Sequence, residues 1–236
     1  MTRRRWIADE VSGNRAALIG EHARHLAQVL RAQIGQEFEV SVSGNVYLGR
    51  IAAISPDRVE FELGDAVAAP APFPLTVAIS IFKFDRMEWA IEKCTELGVA
   101  RILPVIAART ETHLASAAGK RVERWRRIAK QASEQSRRAA PPQISDPIKF
   151  KDLIISATEG GRVVLSEVEQ EISLQDAIVR GESLTLAFGP EGGWKEQELA
   201  AFASAGWKSA SLGQTILRAE TAVIAAVAVT ASAIGR

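Results

Sequence analysis

The pattern of apolar and polar residues changes about one third of the way along the chain. In the first part, segments 37–42, 46–54 and 58–63 alternate apolar with polar residues at a period of two, and turn-forming residues separate them. A helical spacing of apolar residues over about 21–32 precedes these segments. The pattern predicts a small β-rich domain that packs as a partly open barrel.

Beyond residue 75, short apolar runs alternate with amphipathic stretches, and this alternation predicts a parallel sheet with helices. Asp85 and Glu88 have the spacing of a capping box, which predicts the start of the first helix. The last helix is apolar on all sides, so we expect it to be buried within the domain or against another chain. The predicted strands are 75–82, 101–106, 162–166, 185–188 and 210–212, and the predicted helices are 85–98, 119–138, 196–205 and 221–234.

An uncharged segment rich in alanine and proline, residues 66–74, separates the two patterns. Proline at every second position of its second half favours an extended, semi-rigid connector. We therefore predict an N-terminal domain of residues 1–70 and a C-terminal α/β domain of residues 75–236.

Composition restricts the chemistry that this chain can support. The net charge is +1, and the single cysteine, Cys94, excludes an intrachain disulfide and a cysteine-rich metal site. His22, His25 and His113 are not spaced as a zinc site, and no apolar run reaches the roughly 18–20 residues of a membrane span. The arginines near the start are not followed by an apolar stretch, unlike those of a secretory signal. These features predict a soluble, cytoplasmic protein without a metal or a membrane partner.

Two predicted strands lead into glycine-bearing loops, GPEGGW at 189–194 and LGQTILRAETA at 212–222. Glycines at a strand end let a ligand approach the backbone amides. The loops match neither the P-loop nor the dinucleotide-binding pattern, which argues against a phosphate cradle. Apolar neighbours such as Leu165 and Phe188 would suit an adenine ring held by main-chain hydrogen bonds. The alternative is that the glycines form tight turns and the apolar residues are core.

The combination of these two loops resembles the RsmE family, ribosomal RNA uridine N3-methyltransferases of the SPOUT superfamily. Segments 25–31, 88–99 and 124–144 agree with the family in the same order along the chain. The resemblance implies a PUA-like N-terminal domain and a C-terminal α/β domain with a deep trefoil knot, which is rare among protein folds. It also implies a homodimer, in which the apolar C-terminal helix has a partner surface.

The resemblance further implies that S-adenosylmethionine binds in a bent form among the loops that follow three strands. The residues expected to bind this cofactor are Leu165, Ser166, Phe188, Gly189, Gly192, Gly193, Leu212, Gly213, Ile216 and Leu217.

Methylation of uracil N3 requires that the N3 proton leaves, and negative charge then spreads over the ring oxygens. A fixed cation stabilises such charge, and Arg218 is the candidate; the alternative is an ion pair of Arg218 with Glu191 or Glu220. Glu191 is the candidate to accept the proton or to orient the cofactor, and the alternative is that it binds loop amides. Glu220, at a helix start, is expected to be mainly structural.

Base pairing occupies uracil N3, so the target base must be unpaired or turned out of its stack. The RNA-binding surface should be basic, and residues 120–138 carry a large excess of basic side chains beside an apolar stripe around Trp125 that we expect to face inward. The alternative is a solvated helix face. The candidate RNA contacts are Arg3, Arg4, Arg5, Arg31, Arg121, Arg124, Arg127 and Arg138.

The sequence therefore predicts methylation of N3 of a uridine in 16S ribosomal RNA, with ribosomal RNA or the small ribosomal subunit as the partner. One alternative is a SPOUT methyltransferase that acts on another RNA position, such as a base or ribose of transfer RNA. The other is a non-catalytic RNA-binding assembly factor, and the two intact loops argue against it.

Overall fold

The structure is a computed structural model that describes residues 4–71, 73–156, 160–179 and 183–234. Contacts between α-carbons divide the chain into two units. The N-terminal unit contains residues 1–71 and 130–141, and the C-terminal unit contains residues 72–129 and 142–236. The N-terminal unit is therefore discontinuous in sequence, a feature absent from the predicted division.

The N-terminal unit is built on a six-stranded sheet, as the alternating pattern predicted. The strand order is β1-β4-β5-β6-β3-β2, and every pair is antiparallel except β1 with β4. The three predicted strands are confirmed as β4 to β6. The first three strands were missed because they are short and because β2 is exposed throughout. The strands are β1 Trp6–Ile7, β2 Glu10–Ser12, β3 Arg15–Ile19, β4 Glu37–Val42, β5 Asn45–Ser55 and β6 Arg58–Val67.

The predicted helix over 21–32 is shorter than expected and changes type within its length. Helix α1 covers Glu21–Arg24, and a π-helical turn covers His25–Val29. The amide of Leu30 donates to the carbonyl oxygen of His25 at 3.0 Å, which is the i to i+5 bond of a π-helix. Arg31 then adopts a φ of 52°, which ends the helical backbone.

Segment 130–141 completes the N-terminal unit through polar contacts. The backbone amide of Arg5 donates to the carbonyl oxygen of Glu134 at 3.1 Å, and Arg5 Nη1 donates to the carbonyl oxygen of Arg137 at 2.5 Å. The Arg5 guanidinium also binds Glu39 Oε2, at 2.7 Å from Nη2. Lys130 Nζ lies 2.5 Å from Asp9 Oδ1. These contacts explain why the segment groups with strands that lie far away in sequence.

The C-terminal unit contains a seven-stranded parallel sheet, which confirms the predicted α/β class. The strand order is β10-β8-β7-β12-β11-β13, and β9 also pairs with β8. The connector is shorter than the predicted 66–74, because β6 extends to Val67 and the next strand begins at Phe73. The trefoil knot remains a prediction. The strands are β7 Phe73–Ser80, β8 Val99–Ile106, β9 Gln143–Ile144, β10 Ile148–Lys149, β11 Gly161–Leu165, β12 Leu184–Phe188 and β13 Lys208–Ala210.

The four predicted helices occur in the predicted order with two corrections, and the described residues form three further helices that were not predicted. The predicted capping box at Asp85 is wrong, because the N-cap position is Lys83 and the Glu88 carboxylate binds Arg124 at 2.6 Å instead. The predicted helix over 119–138 is divided, because a 3-10 turn at Ala118–Arg121 precedes α4. The helices are α2 Phe84–Glu96, α3 Thr112–Ala117, α4 Val122–Gln135, α5 Phe150–Ser156, α6 Leu174–Ala177, α7 Glu196–Ser204 and α8 Ala219–Ile234.

Both faces of the parallel sheet are covered, as the apolar character of its strands requires. Val77 and Ile79 of β7 belong to the same buried cluster as Val223 of α8. The intervening residue, Ala78, belongs to a second cluster with Phe202 of α7. Because all the strands are parallel, their carboxyl ends meet at one edge, where loops are free to form a site.

Candidate active site

A cavity of about 390 Å³ lies at the carboxyl ends of three neighbouring strands. Its walls come from the loops that follow β11, β12 and β13, together with the first turns of α2 and α8. This volume falls within the roughly 300–1,000 Å³ of small-molecule pockets. The two glycine-bearing loops thus converge on one cavity, as their positions after parallel strands predicted.

Most of the residues predicted to bind a cofactor line this cavity. The exception is Gly192, which does not line it and whose carbonyl oxygen accepts a 2.5 Å hydrogen bond from Arg109 Nη1. Strand β13 ends at Ala210 rather than continuing to 212, so Leu212 belongs to the loop. The predicted residues that line the cavity are Leu165, Ser166, Phe188, Gly189, Gly193, Leu212, Gly213, Ile216 and Leu217, together with Glu191 and Arg218.

Two glycines of the cavity wall have a positive φ that disfavours a side chain, and a third is in tight contact with an indole. Gly193 has a φ of 69°, and a β-carbon there would lie 2.7 Å from Oε1 of Glu167. Gly213 has a φ of 117° with open space in front of it. A β-carbon on Gly189 would lie 3.3 Å from Nε1 of Trp194, so the indole packs directly on this glycine.

Trp194 anchors the loop that follows β12. Its buried indole Nε1 donates to the carbonyl oxygen of Leu165 at 3.2 Å. The ring centroid lies 5.0 Å from that of Phe202 and 5.9 Å from that of Phe150, both with edge or tilted geometry. The last residue of GPEGGW is therefore a core residue that fixes the glycines before it.

The loop after β8 supports the same glycine loop from the other side. Arg109 Nη1 also lies 3.3 Å from the carbonyl oxygen of Trp194. The buried carboxylate of Glu198 accepts from the amides of Ala108 and Lys195, both at 2.9 Å. The glycine loop is thus bonded to the loop after β8, which is bonded in turn to α7.

The charged side chains of the wall do not pair as the sequence suggested. Arg86 of α2 forms ion pairs with both carboxylates. Its Nη1 lies 2.9 Å from Glu191 Oε1, and its Nε lies 3.7 Å from Glu220 Oε1. Arg218 is exposed, and no hydrogen bond or ion pair of its guanidinium is found in residues 4–71, 73–156, 160–179 and 183–234. The alternatives in which Arg218 pairs with Glu191 or Glu220 are therefore wrong.

Arg86 is the main cavity residue that the sequence did not reveal. It stands six residues after the end of β7, at the same edge of the sheet as the glycine loops. That position was the available signal, because a charged side chain beyond the carboxyl end of a central parallel strand tends to face the ligand crevice. The sequence also failed to indicate Val168, which is exposed at the cavity wall.

The predicted RNA-contact residues are not equivalent in the structure. Arg5 is only 5% exposed and bonded to Glu39, so its assignment as an RNA contact is wrong. Arg124 pairs with Glu88, and Arg121 stacks over Phe84 at 4.8 Å. The stripe around Trp125 faces inward as predicted.

The other predicted RNA contacts differ in exposure. Arg31 and Arg127 are exposed, Arg4 lies over the Trp6 ring, and Arg138 is half-buried. Arg3 lies outside the described residues.

The described part of the chain offers no metal site, no membrane-spanning helix and no nucleophilic cysteine. No group of histidine, cysteine, aspartate and glutamate side chains there could hold a metal ion. No helix among the described residues is long and apolar enough to cross a membrane. Complete burial raises the pKa of the Cys94 thiol to about 12, so this residue is not a nucleophile at neutral pH.

Comparison with protein families agrees with the division into an N-terminal β-rich unit and a C-terminal α/β unit. Residues 69–231 match the RNA methyltransferase domain family, and residues 18–64 match the RNA methyltransferase PUA domain family. The class that fold and site define is therefore an RNA methyltransferase with an appended PUA domain.

Full-length relatives narrow this class. The ribosomal RNA small subunit methyltransferase E of Bacillus subtilis is 33% identical over 89% of this chain and 87% of the relative. The corresponding protein of Mycobacterium tuberculosis is 33% identical over 92% of this chain and 86% of the relative. A Neisseria gonorrhoeae member with bound S-adenosyl methionine has a TM-score of 0.86 and 29% identity, covering 98% of this chain and 97% of its own. The chain belongs to the ribosomal RNA small subunit methyltransferase E family.

Proposed function

We propose that this protein transfers a methyl group from S-adenosylmethionine to N3 of a uridine in the RNA of the small ribosomal subunit. Membership of the methyltransferase E family supports the enzyme class, the cofactor and the ribosomal RNA substrate. The observation that carries the proposal is the cavity itself, in which two glycine loops, apolar walls and Arg218 meet.

The residues of the cavity fit the proposed cofactor. Leu165, Phe188, Leu212 and Leu217 supply apolar surface for an adenine ring, and the bare backbone at Gly213 leaves open space for close approach. When bound, S-adenosylmethionine supplies an electrophilic methyl group. The residues proposed to hold it are those of the predicted set that line the cavity, and Gly192 acts indirectly through its bond to Arg109.

Arg218 is proposed to stabilise the negative charge that develops on the uracil oxygens. With the methyl donor held in the cavity, the N3 proton would pass to Glu191 or to water, and the N3 electron pair would then be available to accept the methyl group. The Arg218 guanidinium lies at the cavity wall and has no ion pair to break among the described residues, so it can bind this charge as the charge develops. Glu191 is bonded to Arg86, which favours its orienting role over loop-amide binding.

The remaining elements of the proposal concern partners. Exposed arginines such as Arg31 and Arg127 are proposed to contact phosphates, while the target base is turned out of its stack. A homodimer is proposed through α8, whose partly exposed residues are mostly small. Because the proposed substrate is ribosomal RNA, we also propose a cytoplasmic location. The trefoil knot of the C-terminal domain is part of the proposal as well.

The proposal is tested by incubating the purified protein with S-adenosylmethionine and with either naked small-subunit RNA or assembled small subunits. Mass spectrometry of the digested nucleosides should show N3-methyluridine in at least one of them. Methylation of a ribose or of another base would overturn the N3 assignment. RNA binding without any detectable cofactor binding would overturn the enzymatic function and favour an assembly factor.

A further inference from the structure

Arg86 connects two carboxylates that belong to different parts of the cavity wall. Glu191 lies in the loop after β12, whereas Glu220 is the second residue of α8. The distances from the guanidinium are 2.9 Å to Glu191 and 3.7 Å to Glu220. One side chain on α2 therefore ties a glycine loop to the start of the helix that directly follows Arg218.

Glu220 is the carboxylate that depends most on this contact. It is 5% exposed, and its Oε2 has no hydrogen-bond partner within the part of the chain that the structure describes. Removal of the cation from a buried pair leaves an uncompensated charge, which other groups must then satisfy. Arg218 lies two residues before Glu220 and carries a guanidinium without a recorded partner in the described ranges.

We propose that Arg86 is a positioning residue that occupies Glu191 and Glu220 and thereby keeps the Arg218 guanidinium free for the substrate. Without Arg86, the two carboxylates would draw Arg218 into an ion pair and away from the uracil oxygens. This inference rests on the proposed function of the cavity, because it gives Arg218 its role. It adds a residue that acts through another residue rather than on the substrate.

The test compares Arg86→Ala with the double variant Arg86→Ala/Glu220→Gln. The single variant should lower kcat at saturating S-adenosylmethionine at least tenfold. The double variant should recover a severalfold part of that loss, because the neutral amide no longer attracts Arg218. Glu220→Gln also removes an uncompensated buried charge, so thermal unfolding is measured beside kcat. Recovery of kcat without recovery of the melting temperature supports the inference, whereas recovery of both together, or of neither, overturns it. If Arg86→Ala does not fold, Arg86→Gln, which removes the charge and keeps part of the side-chain volume, is measured in the same two backgrounds with the same expected results.

Lys93→Ala is the matched control on the same helix. The Lys93 side chain is 29% exposed against 31% for Arg86, and it also contacts two carboxylates, Glu92 at 2.7 Å and Glu96 at 2.8 Å. It does not line the cavity. Its replacement should leave kcat within about twofold of wild type. The comparison then shows whether a fall in kcat is specific to Arg86 or follows the loss of any cation on α2 that contacts two carboxylates.

A crystal structure of Arg86→Ala gives a readout that does not depend on activity. The Arg218 guanidinium should lie within hydrogen-bond distance of Glu191 or Glu220, and an unpaired Arg218 would overturn the inference. An active wild type with an equally active, folded Arg86→Ala variant would overturn it as well, while leaving the proposed function intact. A wild type that methylates neither RNA substrate would instead overturn the proposed function.

Discussion

The indole Nε1 of Trp194 donates a 3.2 Å hydrogen bond to the carbonyl oxygen of Leu165. This bond joins the end of the β12 loop to the last residue of β11, and both residues line the cavity. The same indole packs on Gly189, so the loop cannot shift without breaking a buried contact. The position of the glycine loop is therefore set by a residue of the core.

Trp194→Phe should weaken binding of S-adenosylmethionine about tenfold, because it leaves a buried carbonyl oxygen without a donor, at a cost of about 1–3 kcal/mol. Calorimetric titration measures this Kd. Trp207→Phe is the matched control, since Trp207 is also buried and its Nε1 has no partner among the residues that the structure describes. An equal loss in both variants would show that the aromatic cluster, and not the hydrogen bond, positions the loop.

Gly193→Ala should weaken cofactor binding strongly, because it combines a left-handed backbone with a close approach to Glu167. The backbone conformation alone costs about 1–2 kcal/mol for a residue with a β-carbon. Gly193→Ala/Glu167→Ala removes the steric contact and should recover only part of the affinity. Gly119→Ala, at a glycine with open space and ordinary φ, should bind the cofactor as wild type does.

Arg218→Ala should lower kcat by about 10²–10³-fold, the effect of removing one preorganised group that stabilises developing negative charge. The Kd for S-adenosylmethionine should change little, because the proposed partner of Arg218 is the uracil. Single-turnover measurements with small-subunit RNA separate the two quantities. A kcat close to that of wild type would contradict the role assigned to Arg218.

RNA binding should distinguish Arg127 from Arg5. Arg127→Ala should weaken binding and reduce the dependence of log K on log salt by about one unit, as expected for one lost phosphate contact. Arg5→Ala should instead lower the melting temperature, because it removes a buried cation from Glu39. Filter binding over a salt series and thermal unfolding check both variants. An unchanged salt dependence in Arg127→Ala would remove it from the RNA surface.

Glu134 should make the stability of the protein depend on pH. Burial raises the pKa of its carboxyl, so its folded-state pKa exceeds the unfolded value of 4.5. Folding is then favoured most below that unfolded value, and the advantage is lost as the pH rises through the folded pKa. Glu134→Gln should flatten this dependence and raise the melting temperature at pH 8. Glu123→Gln, at an exposed carboxylate, should leave the profile unchanged.

The neighbouring Asp9 acts in the opposite direction. Burial alone would raise the pKa of this carboxyl, but hydrogen bonds from His22, Lys130 and the amide of Ile19 outweigh it and hold the pKa well below its usual range. Its contribution to stability is therefore present above the unfolded pKa and is lost only in strong acid. Asp9 therefore does not shape the pH profile above 4.5. Burial and the charge of Arg4 lower the pKa of His25, which acts in that range as well, so the difference between wild type and Glu134→Gln isolates the part due to Glu134.

Elements whose apolar and polar residues follow a clear period, or that stand next to a distinctive motif, could be predicted from the sequence. Strands β4, β5 and β6 alternate clearly, and GPEGGW follows a continuous apolar strand, so their positions were correct. Short elements such as β1 and β2 contain too few residues for a period to emerge. Whether the turn at His25–Val29 is α-helical or π-helical depends on which carbonyl oxygen accepts each backbone hydrogen bond. The spacing of apolar residues does not determine that partner.

The pairing of charges in the site could not be predicted, because it depends on which elements the fold brings together. Arg218 lies two residues from Glu220, and Glu191 stands in the other glycine-bearing loop, so an ion pair of Arg218 with one of them was the simplest expectation. Arg86 lies more than one hundred residues earlier but reaches both acids from α2. The burial of Arg5 has the same cause, since its partners Glu39 and Arg137 come from distant segments.

The placement of residues 130–141 has a consequence for how the chain is made. When translation has delivered the six strands of the N-terminal unit, the segment that supplies Lys130 and Glu134 has still to emerge. At about 5–20 residues per second, roughly 60 further residues take several seconds. During that interval Asp9 and Glu39 have no cation from the late segment. A nascent chain stalled after β6 should therefore remain protease-sensitive until the downstream peptide is supplied.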